Sequence, residues 1–114
     1  MKIIITEEQD ERIKLKMYQL ISSYLDTLYN MEVKKKYEHS DNKVFIFRNK
    51  IYDRIDMVIE TNIKTLGINS TPLFNSIRTL FTGISPLEIK KSLEYYIKLK
   101  TGQKVENFHN TTWD

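Results

Sequence analysis

The hydrophobic period changes once along this chain, and that change constrains the fold more than any other feature. Ile13, Met17, Leu20, Ile21, Tyr24, Leu28 and Met31 recur at helical spacing and form one apolar stripe. Ahead of them Thr6 to Gln9 reads as a capping box, and Glu7, Glu8, Asp10 and Glu11 suit the positive end of a helix dipole. The spacing predicts a long helix ending near Asn30. The period then falls to two. Glu32–Glu38 and Lys43–Arg48 flank the turn-rich His39, Ser40, Asp41 and Asn42, which is the composition of a hairpin with an exposed first arm and a more buried second arm carrying Phe45 and Phe47. A chain of 114 residues holding both periods is expected to fold as one α+β domain.

The remaining segments are assigned by the same signals. Lys2–Ile5 reads as a short β-branched strand. Between residues 50 and 66, Ile51, Ile55, Val58, Ile59, Asn62, Ile63 and Leu66 match a helical stripe, although residues 56–61 alone have strand propensity; the longer match predicts a helix stopped by Gly67. Thr71-Pro72 opens a short helix closed around Gly83. Ser85-Pro86-Leu87-Glu88 combines an N-cap serine, a proline at the first helical position and a box glutamate, so the last helix starts there and stops at Gly102. The expected fold is a small, predominantly helical α+β domain over residues 1–102. It has four helices, a β-hairpin and the N-terminal strand, and residues 103–114 follow as a C-terminal tail.

Composition excludes several chemistries. There is no cysteine, which removes disulfides, thiolate metal sites and thiol nucleophiles. The longest apolar runs, Ile3–Ile5 and Val44–Phe47, are far short of the roughly 20 residues of a membrane span, and no leader pattern opens the chain. A cytoplasmic protein without a membrane partner is expected, and the acceptor patterns at Asn69 and Asn110 are read as chance. Net charge is only +3, but residues 33–104 hold fourteen cations against seven anions, so a basic middle lies between two acidic ends. Alanine is absent, while Ile, Lys, Asn, Tyr and Phe make 49 of the 114 residues, a bias toward AT-rich codons.

Candidates for chemistry are few. His39 sits in the hairpin turn beside Ser40 and Asp41, where adjacency in sequence does not align three side chains for nucleophilic catalysis. His109 has no acidic or histidine partner at ligand spacing. Asp53, Asp56 and Glu60 would share one face of the predicted helix, with Lys50, Arg54 and Lys64 close enough to make that face a solvated, mixed-charge surface. The three glycines stand at predicted helix ends and form no phosphate loop. No enzyme activity, cofactor or metal is expected.

Two features point to partners instead. Lys34, Lys35, Lys36 and Tyr37 on the hairpin, with Lys43, Arg48, Lys50 and Arg54 nearby, combine phosphate-binding cations with an aromatic ring; the same lysines also suit an edge strand guarded against aggregation. Phe108 and Trp113 lie beyond the last predicted helix and are the residue types that anchor interfaces.

The opening Lys2-Ile-Ile-Ile-Thr-Glu-Glu-Gln9 resembles the start of many small proteins of tailed bacteriophages, in which a short strand runs directly into a capped helix. The resemblance covers less than a tenth of the chain and implies a phage setting. The expectation is a non-enzymatic interaction protein, a structural or accessory subunit of an assembly that works in the host cell or the virion through a protein partner or a second copy. The alternative is a nucleic-acid-binding or host-inhibiting module using the basic hairpin.

Overall fold

A computed structural model describes residues 11–35 and 41–111. The expected strand at Lys2–Ile5 and the capping box at Thr6–Gln9 lie outside the described residues, as do Lys36, Tyr37, His39 and Trp113. The order of elements is α1 (Glu11–Leu28), β1 (Tyr29–Lys35), β2 (Lys43–Asn49), β3 (Arg54–Glu60), β4 (Thr65–Ile68), α2 (Ser70–Leu80), α3 (Pro86–Thr101) and β5 (Asn107–Asn110). The fold is α+β, with three helices among the described residues rather than four, and a five-stranded sheet in the order β1-β2-β3-β4-β5. Strands β1 to β4 run antiparallel to their neighbours, and β5 runs parallel to β4.

Helix α1 buries Met17, Ile21 and Leu25, three residues four apart. It passes into β1 without a loop, so Tyr29 is already a strand residue. Register places Tyr29, Met31, Phe47, Met57, Leu66 and Ile68 on one face of the sheet. That face joins Ile77 of α2 and Leu93 and Tyr96 of α3 in a single core, in which the rings of Phe47 and Tyr96 lie 5.6 Å apart. On the other face Val44, Ile46 and Val58 stay half exposed.

The predicted helix over residues 50–66 is instead a turn, β3 and β4. Asn49 is buried, and its side-chain oxygen accepts from the backbone N–H groups of Ile51 and Tyr52, which closes a turn between β2 and β3. Asp53 completes that turn in the left-handed region at φ 49°. Strand β3 then carries a bulge, because Phe47 pairs with Met57 while the next residue, Arg48, pairs with Ile55 and leaves Asp56 as the extra residue. Gly67, expected as a helix stop, sits inside β4 opposite Val58.

Residues 107–110, expected within a tail lacking strand period, form a strand. A parallel neighbour needs a crossover, and α2 and α3 supply it between β4 and β5. Leu66 faces Phe108, and the Glu106 and Asn107 N–H groups both donate to the Lys64 carbonyl.

Candidate functional site

Among the described residues the most deeply buried charge is Asp56, at 0% exposure. The bulge turns its carboxylate inward. Tyr29 Oη donates to Oδ2 at 2.6 Å, Arg54 Nε donates to Oδ1 at 2.7 Å, and Arg54 Nη2 donates to Oδ2 at 3.2 Å. The backbone carbonyl of Asp56 accepts from the Asn69 N–H at 2.8 Å, tying the bulge to the start of α2. Burial, and then the bond to Asp56, hold the Tyr29 hydroxyl well above its ordinary range, while Asp56 holds the Arg54 guanidinium further up. The arrangement is a satisfied pair inside the fold and offers no exposed oxygen to a substrate. Arg54 also stacks over Tyr52, with its guanidinium carbon 5.1 Å from the ring centre.

Asp53, Asp56 and Glu60 do not share a face. Asp53 is in the exposed turn, Asp56 is buried, and Glu60 ends the strand. No group of three potential metal-ligating side chains converges among the described residues, and no helix there is long and apolar enough to cross a membrane. His109 is exposed on β5 opposite Gly67.

The basic residues singled out in the sequence separate into two groups. Lys34, Lys35 and Lys43 lie at the far end of the β1–β2 hairpin, where Lys35 and Lys43 are directly opposed. Arg48, Lys50 and Arg54 lie at the other end. Carboxylates already engage three of the six: Arg48 meets Glu32 at 3.5 Å and Asp53 at 3.6 Å, Lys34 meets Glu32 at 4.0 Å, and Arg54 is held by Asp56. Phe108 is half-buried against its own domain's core, with the Lys90 ammonium 5.8 Å from its ring centre.

Strand β1 is an edge of the sheet. The Lys50 N–H donates to the Leu28 carbonyl at 2.8 Å, and bonding residues alternate along an antiparallel ladder. Even-numbered residues of β1 therefore face β2, and Tyr29, Met31, Val33 and Lys35 turn their N–H and C=O groups to the open side. Among the described residues no strand pairs with that side. Val33, half exposed at 50%, stands at its middle. Sequence reasoning identified the edge but not which residues present their backbone outward, because that parity depends on where α1 ends.

A second surface feature lies between α1 and α3. The helices are clasped twice: Tyr18 Oη donates to Glu88 Oε2 at 2.7 Å, with Lys14 3.6 Å from Glu88, and Lys100 Nζ meets Asp26 Oδ1 at 2.8 Å, with Tyr96 Oη 3.4 Å from the same oxygen. Between the clasps runs a groove of about 380 Å³, whose lining includes Gln19, Ser22, Asp26, Tyr95 and Lys100. Lys100 holds the Asp26 carboxyl below its usual range, whereas burial holds the Tyr96 hydroxyl above its own. The sequence signal for this groove was only a pair of serines interrupting the α1 stripe.

Comparison with protein-family models, curated proteins and solved structures finds no match.

Proposed function

We propose that this protein is a non-enzymatic interaction subunit that pairs with a second copy of itself through the edge of β1, in the phage setting that its opening residues suggest. The observation carrying this reading is the charge order along that edge. Two β1 strands placed antiparallel about Val33 set Glu32 of each opposite Lys34 of the other, and bring Met31 opposite Lys35. The outward backbone groups then meet as bonded pairs, and the opposite charges fall at the closely spaced positions between them. A register two residues away would oppose Glu32 to Glu32. The lysines that guard the edge against indiscriminate pairing thereby select one partner.

The test is the mass of the protein in solution across a concentration series. A dimer is expected, Glu32→Lys should weaken it, and adding Lys34→Glu should restore it. Val33→Pro should abolish it without unfolding the chain, because that N–H faces away from β2 and proline is tolerated there. A protein monomeric up to about 1 mM, where even a −4 kcal/mol contact would register, overturns the proposal.

One observation favours nucleic acid as a second reading. Lys35 directly opposite Lys43 is a repulsive cross-strand pair that a phosphate would relieve.

A further inference from the structure

The three most exposed large apolar side chains among the described residues gather at one end of the fold. Ile51 is 70% exposed and Tyr52 68%, side by side in the turn between β2 and β3, while Leu99, 64% exposed, stands in the last turn of α3. The Lys50 N–H ties that turn to the Leu28 carbonyl at the end of α1, and Lys100 ties the end of α3 to Asp26 in the same last turn of α1. The turn is firmly held. Asn49 accepts two of its backbone N–H groups, Asp53 closes it in the left-handed region, and Arg54, fixed by the buried Asp56, lies over the Tyr52 ring. Side chains kept in place this way lose little further freedom when another surface buries them.

Charge indicates what that surface is. Lysines bracket the apolar residues in the chain, as Lys50-Ile51-Tyr52 and Lys98-Leu99-Lys100. Asp53, Asp56 and Asp26 answer Arg48, Arg54 and Lys100, which leaves Lys50 and Lys98 in excess at this end. Aliphatic and aromatic tips among surplus cations suit the headgroup layer of a membrane, where the rings and alkyl groups leave water and the cations meet phosphates. A pocket on a protein would have to straddle projections from two separate elements, with lysines between them. A fluid lipid surface need not. We propose that this end of the molecule rests on an anionic lipid bilayer, with Ile51, Tyr52 and Leu99 entering the headgroup layer and Lys50 and Lys98 against its phosphates. The expectation of no membrane partner rests on the want of a spanning segment, which a surface contact does not use.

The test is sedimentation of the full chain with vesicles of phosphatidylcholine alone and with about one third phosphatidylglycerol added, at about 0.1 M salt. Binding to the anionic vesicles is expected, with far less on phosphatidylcholine alone. Lys50→Gln should weaken it roughly fivefold, the effect of one cation at a charged membrane surface. Ile51→Ser combined with Tyr52→Ser should keep the parent's urea midpoint, since both side chains are exposed, and weaken binding about tenfold or more. Leu99→Ser, on a separate element, should weaken it as well. No binding at about 5 mM anionic lipid, or equal binding to both kinds of vesicle, overturns the proposal. So does binding that the serine variants leave intact, which would mark plain attraction to any polyanion, nucleic acid included.

Discussion

At the scale of single residues, Asp56 decides how the sheet and the helices fit together. An extra strand residue would ordinarily weaken β3, but here it lets a carboxylate reach Tyr29 and Arg54 and frees a carbonyl for Asn69. Tyr29→Phe removes the hydroxyl and leaves Asp56 to Arg54 alone, so a loss of about 1.5–3 kcal/mol is expected, the range for a hydrogen bond to a charged group. The pH dependence is a sharper measure. The folded state raises the Tyr29 hydroxyl above its ordinary 10.0, chiefly by burial. The neutral form is thus favoured in the fold, so the stabilisation is full below about pH 10 and is lost as the pH climbs, because the unfolded chain ionises first. Urea midpoints followed from neutral to about pH 11 should therefore fall less steeply in Tyr29→Phe than in the parent. Parallel curves would mean that Tyr29 does not meet Asp56.

At the scale of elements, two helix starts are satisfied by different means. Helix α3 carries its own cap: Ser85 Oγ accepts from the Glu88 N–H at 3.2 Å, as the local sequence predicts. Helix α2 borrows one. Asn69 makes no side-chain cap bond, and Asn110 of β5 supplies the oxygen that accepts from the Ser70 N–H at 3.3 Å and hydroxyl at 2.9 Å. Ser85→Ala and Asn110→Ala should each cost about 1 kcal/mol by denaturant unfolding, although only the first effect follows from sequence. That contrast shows what was legible. Local signals such as the Ser85 cap, the Gly102 stop in the left-handed region and the alternation of β2 survive because neighbours in the chain determine them. The segment over 50–66 was misread because β3 is apolar on both faces and its bulge breaks the period of two, which together imitate a helical stripe. The role of residues 107–110 was hidden because a parallel partner is set by a crossover of two helices. Deleting residues 107–114 strips Phe108 from the core and the cap from α2, so stability should fall by about 3 kcal/mol or more. The number of copies per particle in solution should be unchanged, since β1 and β5 are opposite edges of the sheet among the described residues. An unchanged melting temperature would refute the packing of β5 on its own domain.

At the scale of the whole molecule, the distribution of charge matters more than its total. If Lys34, Lys35, Lys36, Lys43, Arg48, Lys50 and Arg54 formed one surface, single-stranded DNA would displace an ion at each. The logarithm of affinity would then fall with the logarithm of salt at a slope near −5, about −0.7 for each of seven contacts. The fold argues for a shallower slope. Arg48 and Arg54 are held by carboxylates, Lys34 lies within 4.0 Å of Glu32, and Lys50 stands at the opposite end of the hairpin from the Lys35–Lys43 pair. A strand lying on the far end can reach Lys35, Lys43 and one neighbour together, which gives a slope of roughly −2. Fluorescence anisotropy with an oligothymidine across a salt series measures it directly. A slope near −5 would show that the ion pairs of Glu32 and Asp56 open on binding and that the hairpin acts as one basic surface. A slope no steeper than about −2 leaves nucleic acid a weak, peripheral contact at the far end of the hairpin.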